Sequence, residues 1–389
     1  NDSVIRGEML VDEGDPYSAL LVNKSINNLK GKGIFGKVNK KITEGSSSNL
    51  KVLEVSVEER ATGEIIAGMG VGTAGTTFQF AVSENNWLGR GINLTSAITL
   101  GEESIRGNIS IKNPNYNYTG NAVSTSLNLA TTDRTTNSGF KSNKSGFSVG
   151  TEFEQYENVY LTPSIKGVYE DIEVSSSSST NIKNMEGTYT NLDFGYGILI
   201  DKRNQVYKPT SGYRTHFSQT LPIILDQSSI TNGFDLTGYR AYSEDLTGVL
   251  RFYAKSKHGI DDDDVRLSDR IFLPTNRLRG FNTKRVGPKD GEDWIGGNYA
   301  TSLSFEARMP NLLPEAMRTD VSMFFDSANI WHVDYSDTLD DASTIRSSVG
   351  VAANVFTPIG PLSLTMAQDL TKGTNDETEA INFRLGTSF

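Results

Sequence analysis

Cysteine is absent from this chain of 389 residues, and histidine occurs three times, as His216, His258 and His332. The first absence removes disulfides, thiol catalysis and thiolate metal sites, and says nothing about compartment. The scarce histidines are not arranged as His-Glu-x-x-His, so a zincin-type site is missing. No run of eighteen apolar residues exists, which excludes a transmembrane helix. A basic excess is also lacking: 37 Lys and Arg face 47 Asp and Glu, for a net charge of −10. A nucleic-acid partner needs a basic face and is therefore not expected. What the chain does have is glycine, 37 of them, and 9% aromatic residues, a mixture that suits β-structure.

Residues 1–61 differ from the rest. Residues 18–29 place Leu20, Leu21, Ile26 and Leu29 near helical spacing, and Gly31 and Gly33 stop the pattern. Residues 38–42 and 50–57 read as two strands joined by a Gly-Ser-rich turn. One helix and two strands bury little core, so this small α/β module reads as a domain with its first half cut away. The chain begins at Asn1 without methionine, which fits a mature or trimmed fragment.

From residue 62 to 389 the helical signal disappears and period-two segments of about ten residues recur. Leu192, Phe194, Tyr196, Ile198 and Ile200 alternate with smaller or polar neighbours, as do Val321, Met323 and Phe325, and Ile381, Phe383 and Leu385. Roughly sixteen such strands can be counted, an even number as bacterial membrane barrels require. Short connections, such as Asn86-Trp87-Leu88-Gly89, Ser243-Glu244-Asp245 and residues 357–361, alternate with longer polar ones at 132–144, 175–184, 259–297, 332–343 and 371–379. Short turns at one rim and long loops at the other predict a mainly β fold, a 16-stranded antiparallel transmembrane β-barrel. Trp87, Tyr116, Tyr118, Tyr156 and Tyr160 fall near the expected membrane interfaces.

The loop at 259–297 is the longest, and it carries Leu278, Phe281 and Trp294, apolar groups it must bury. Within it Arg279 is followed by Gly280, which permits close backbone approach, and by Phe281. If Leu303, Phe305, Met323 and Phe325 face lipid, then Glu306 and Asp326 point into the lumen. Carboxylates in a partly dry lumen need a cation, and an arginine between them supplies one. We therefore expect the loop to fold inward and latch through Arg279 onto Glu306 and Asp326. No cofactor or metal is expected. The run Asp261-Asp262-Asp263-Asp264 lacks the ligand spacing of a calcium loop, and Gly68, Gly70, Gly72 and Gly75 lack the lysine of a phosphate loop.

The tripeptide Arg279-Gly280-Phe281 resembles the Arg-Gly-Phe/Tyr motif of the outer-membrane assembly and secretion barrels that carry POTRA domains. Alone it is unspecific. Asn86-Trp87-Leu88-Gly89 also resembles the first periplasmic turn of the BamA branch of that family. Phe324-Phe325-Asp326-Ser327-Ala328-Asn329-Ile330-Trp331 is similar to the thirteenth strand of that branch. Arg346-Ser347-Ser348-Val349-Gly350, with Pro358-Ile359-Gly360-Pro361-Leu362, is similar to its strands near the end. The resemblance implies a barrel in the bacterial outer membrane that folds and inserts other β-barrel proteins without enzymatic chemistry. Residues 1–61 would then be a partial POTRA domain on the periplasmic side. The implied partners are nascent outer-membrane β-barrel proteins, the lipid bilayer and assembly-complex lipoproteins bound through POTRA domains. Because only a fraction of one such domain is present, lipoprotein docking carries over least well. A TamA-like assembly factor, a two-partner secretion transporter and a passive porin or receptor are the other readings.

A barrel must also close. The first strand, near 63–75, is rich in glycine at Gly63, Gly68, Gly70, Gly72 and Gly75, and glycine weakens a strand. The last, near 379–389, carries Phe383, Leu385 and the terminal Phe389. A weak lateral seam between these two is expected.

Overall fold

In the segments where apolar and polar residues alternate, one face of each strand wants an apolar solvent and the other a polar one. In the computed structural model sixteen such strands close into an antiparallel barrel, each paired with its neighbours in the chain. The structure describes residues 1–47, 49–73, 75–225, 229–260, 263–282, 284–339, 341–357 and 360–386. The strands are β1 (Gly63–Gly72), β2 (Gly75–Trp87), β3 (Ile92–Gly101), β4 (Ser104–Asn113), β5 (Ala122–Arg134), β6 (Phe140–Tyr156), β7 (Val159–Leu161 continued by Ser164–Val174) and β8 (Gly187–Asp201). They continue as β9 (Ser211–Leu225), β10 (Ser229–Ser243), β11 (Leu246–Gly259), β12 (Tyr299–Met309), β13 (Thr319–Trp331), β14 (Arg346–Thr357), β15 (Gly360–Thr371) and β16 (Ile381–Gly386). The break in β7 falls at Thr162-Pro163; proline has no N–H to give the ladder.

The polarity of the fold is inverted relative to a water-soluble domain. Ile65, Phe78, Phe80, Ile98, Leu127, Phe147, Phe305 and Met323 are exposed on the outside. Ser302, Ser304, Glu306, Ser322, Asp326 and Ser348 are buried within. That arrangement is stable where lipid is the outer solvent, because the strands pair with one another around a closed sheet. The barrel is of the kind that crosses the outer membrane. Trp87, Tyr116, Tyr118, Tyr156 and Tyr160 all gather at one rim, at the ends of β2, β4, β6 and β7.

The short connections at 88–91, 157–158 and 244–245 lie at that same rim, and the long loops at the opposite one. One expected long loop is not a loop. Strand β5 runs to Arg134 and β6 restarts at Phe140, with only a helical turn, Thr135–Ser138, and Gly139 at φ 72° between them. The pairing continues upward from Ser126↔Ser148 to Arg134↔Phe140. The upper ends of these strands carry Thr131, Thr132, Ser142 and Asn143, polar on both faces, so the apolar alternation vanishes while the ladder persists.

Residues 1–60 form a separate small unit. Helices α1 (Asp2–Arg6) and α2 (Ala19–Gly31) pack on a hairpin of Phe35–Glu44 and Lys51–Glu59. The Ser18 hydroxyl caps α2 by accepting from the Leu21 N–H at 3.4 Å. Ile26, Leu29 and Val38 make its core with Val55 and Val57. The hairpin ends at Glu59 and the barrel begins at Gly63. The unit sits against the rim with short turns. The Asn1 main-chain nitrogen donates to the Gly89 carbonyl at 3.1 Å, and Asn115 Nδ2 donates to the Gly7 carbonyl at 3.3 Å. Gly7 lies so close to Tyr118 that a Cβ there would be 2.3 Å from the ring.

Candidate functional site

The loop between β11 and β12 folds into the barrel and builds a core of its own. Ile271, Leu273, Leu278, Phe281 and Val286 are buried against Ala300, Ala328 and Ile330 on β12 and β13. This burial places Phe281, 1% exposed, as the anchor beside Arg279. Within the loop, Lys289–Asp290 pairs with Asp293–Trp294 as a minimal hairpin.

Arg279 lies between the two expected carboxylates. Its Nε and Nη2 donate to the two oxygens of Asp326, each at 2.7 Å, a bidentate fork. Its Nη1 donates to Glu306 Oε2 at 3.1 Å, and its main-chain N–H to Asp326 Oδ2 at 3.1 Å. The Ser304 hydroxyl donates to Asp326 Oδ1 at 2.6 Å. The guanidinium carbon sits 3.6 Å from the centroid of the Phe324 ring, a cation–π stack. Gly280, at φ 89°, lets the chain turn against β15, where a Cβ would lie 2.8 Å from that of Ala367. The Arg279 carbonyl accepts from the Ser348 hydroxyl at 2.5 Å.

Arg279 is not the only cation on Glu306, and of the others sequence reasoning missed Arg251. Arg251 on β11 donates to Oε2 at 2.8 Å, and Arg308 donates to Oε1 at 2.8 Å. Three arginines therefore share Glu306, while Arg279 is the cation on Asp326. Lumen-facing parity on β11 was the available signal for Arg251, two residues beyond the buried Val249.

A second anchor ties the loop to Lys257 on β11 and Lys144 on β6. Asp269 meets Lys257 at 2.7 Å, Arg266 at 2.9 Å and Lys144 at 3.0 Å. Burial pushes the Asp269 carboxyl up, but Lys257, Lys144 and Arg266 outweigh it and hold the group well below the usual carboxylate range. Neither Arg266 nor Asp269 was singled out from sequence.

The seam is short. Among the described residues β16 and β1 share three register pairs, Arg384↔Gly72, Leu385↔Val71 and Gly386↔Gly70. By contrast, β1 and β2 share ten and β3 and β4 eight. The Thr73 N–H also donates to the Phe383 carbonyl at 3.1 Å. Gly70, Gly72, Phe383 and Leu385 are thus at the closure. Gly63 and Gly68 pair with Glu84 and Gln79 of β2, and no described residue of β16 lies opposite them; the register runs on toward residues 387–389, which fall outside the described residues. The described residues of β16 meet β1 at the upper end of the latter. Phe389 lies outside the described residues.

Of the three histidines, His258 and His332 both lie against Tyr299, and among the described residues none touches the latch. His216 is within β9, His258 near the end of β11 and His332 in the loop after β13. Gly146-Phe147-Ser148-Val149-Gly150 has the spelling of a hydrolase elbow, but it lies inside β6, where Ser148 Oγ is 2.8 Å from Ser126 Oγ on β5. A nucleophile elbow needs a strand-to-helix turn, and this segment is a continuous strand. Asp261 and Asp262 fall outside the described residues. No group of three potential metal ligands occurs among the described residues.

Comparison with known proteins fits this geometry. The Omp85 superfamily domain matches residues 86–389. Outer membrane protein assembly factor BamA of Neorickettsia risticii is 25% identical over 398 residues, covering 100% of this chain and 53% of the relative. BamA of Neisseria meningitidis serogroup B is 22% identical over 446 residues, covering 100% and 55%. The chain spans about half the length of these curated relatives. Among solved structures, BamA from Haemophilus ducreyi lacking POTRA domains 1–3 superposes with a TM-score of 0.92 at 22% identity, over 100% of this chain and 82% of that one. The chain belongs to the Omp85 superfamily, and the curated relatives with which it aligns end to end are outer membrane protein assembly factors.

Proposed function

We propose that this chain folds and inserts β-barrel proteins into the outer membrane by parting its seam between β16 and β1. The observation that carries the reading is the closure, three register pairs among the described residues, beside a ten-pair neighbour. An opened seam exposes N–H and C=O groups that template an incoming strand, so a client can add strands without leaving backbone unpaired in lipid. The Arg279 latch keeps the long loop in the lumen while this happens. The clients are nascent outer-membrane β-barrel proteins, and the work is mechanical rather than enzymatic. Residues 1–61 are read as part of a POTRA domain at the periplasmic rim. The Haemophilus chain described as lacking POTRA domains 1–3 supports this, since it aligns along the whole of this chain. Assembly-complex lipoproteins would dock through further such domains.

The chain has no native cysteine, so an engineered pair is clean. Val71 and Leu385 face each other across the seam. With both as cysteine, oxidation should block client insertion and reductant should restore it. Full insertion with a complete cross-link would sink the lateral-seam mechanism. Large steady currents through a planar bilayer would favour a passive transport barrel instead.

A further inference from the structure

The way the chain enters β16 is unusual. The six described residues of β16 share five register pairs with β15 and three with β1. Above it, the chain changes partner. The Ala367 N–H on β15 donates to the Ala380 carbonyl at 2.8 Å. One residue earlier, the Glu379 N–H donates to Gly280 of the long loop at 2.9 Å. Phe281 then bridges Thr378 in antiparallel register. The Asn282 N–H donates to the Glu377 carbonyl at 2.9 Å, and the Glu377 N–H to the Arg285 carbonyl at 3.0 Å. Residues 377–379 are therefore zipped to the residues that follow Arg279.

Asp376 closes this zipper. Its carboxylate accepts from Arg346 Nε at 2.6 Å, from Arg346 Nη2 at 3.0 Å, from the Gly287 N–H at 3.1 Å and from the Gly373 N–H at 2.5 Å. The side chains of Arg346 and Asp376 are 0% and 1% exposed. One carboxylate thus ties β14, the long loop and the lead-in to β16. Outside it, Arg285 Nη1 donates to both oxygens of Glu377, at 3.0 and 2.9 Å, in a half-exposed pair.

We propose that Asp376 is a positioning residue that sets the register of β16 against β1, with Arg285–Glu377 as its outer strut, so that the long loop holds the last strand as well as itself. This rests on reading the β16–β1 closure as the working seam. A carboxylate with four donors fixes a backbone position, and one further residue pair of slip in β16 would move each side chain by two positions while keeping its face.

The test is made on the purified, folded barrel without any client, so it stands apart from whether the protein assembles others. Cysteine at Val71 and Leu385 reports the native register; cysteine at Val71 and Phe383 reports a two-residue slip. In the parent the first pair should cross-link and the second should not. In Asp376→Asn the first yield should fall at least threefold and the second should rise. If Asp376→Asn does not fold, Glu377→Arg takes its place, and Glu377→Arg with Arg285→Glu should return the yield to the parent value. Unchanged cross-linking in Asp376→Asn, or in Glu377→Arg where that variant stands in, would overturn the proposal. So would a loss in Glu377→Arg that the charge swap fails to restore.

Discussion

Replacing Arg279 by alanine places the whole loss at one carboxylate. Asp326 is fully buried and accepts four hydrogen bonds, two from the guanidinium, one from the Arg279 main chain and one from Ser304. Alanine removes the first two and leaves the charge with neutral donors alone. Glu306 keeps Arg251 and Arg308 and should scarcely notice. Breaking a buried pair from one side costs about 3–5 kcal/mol. The surviving donors argue for the low end, and losing the stack on Phe324 adds roughly 1 kcal/mol. We expect Arg279→Ala to lose about 4 kcal/mol against urea in lipid vesicles, and to make the long loop sensitive to protease. Arg279→Lys should recover little, because an ammonium cannot span both Asp326 oxygens as a planar fork does. Adding Asp326→Asn to Arg279→Ala should return part of the loss, since the buried charge is then gone. Unfolding of Arg279→Ala at the parental urea midpoint, with the loop still protected, would refute this account of the latch.

Two further outcomes follow from the same geometry. Gly280→Ala should cost roughly 1–3 kcal/mol in the same urea titration, through its left-handed φ of 89° and a Cβ that would lie 2.8 Å from that of Ala367; Ala367→Gly should relieve only the contact part. The Asp269 carboxyl has a depressed folded value, so its stabilisation is full above the unfolded value of about 4 and is lost as pH falls through the folded one. Quenching of Trp294 fluorescence, with Trp87 and Trp331 replaced by phenylalanine, should therefore rise below about pH 4, and Asp269→Asn should remove that step.

The parts of this fold that were legible in sequence are those that strand parity controls. Glu306 and Asp326 could be placed in the lumen because Phe305 and Phe325 beside them want lipid, and a one-residue error would reverse both. Parity gives out where a strand rises past the apolar belt, and so the upper ends of β5 and β6 read as loop. It is also silent on which loops meet. Asp376 and Arg346 are separated by thirty positions, and their fork depends on the long loop lying between two others. Glycine content marked β1 as weak, but only the register shows that Gly70 and Gly72 are the ones that meet described residues of β16.

On the proposed reading, the seam must be easy to part and yet stay shut at rest, and the structure separates these demands between two places. In β1, Gly68, Gly70 and Gly72 pair with Gln79, Thr77 and Gly75, while Met69 and Val71 pair with Phe78 and Thr76 on the lipid-facing side. The three glycines therefore share the lumen face, where Gly70 and Gly72 give β16 no side chain to pack against. Parting the seam loses backbone pairs and few side-chain contacts. What remains is the cost of unpaired N–H and C=O groups in lipid, several kcal/mol for each. An incoming strand cancels that cost and water cannot, so the penalty itself selects for a strand as occupant. Closure at rest then needs a restraint that does not reside in the seam. The zipper between residues 377–379 and the long loop lies above the lipid-facing pairs and makes none of its bonds to β1. It can hold β16 in register without strengthening the edge that has to open.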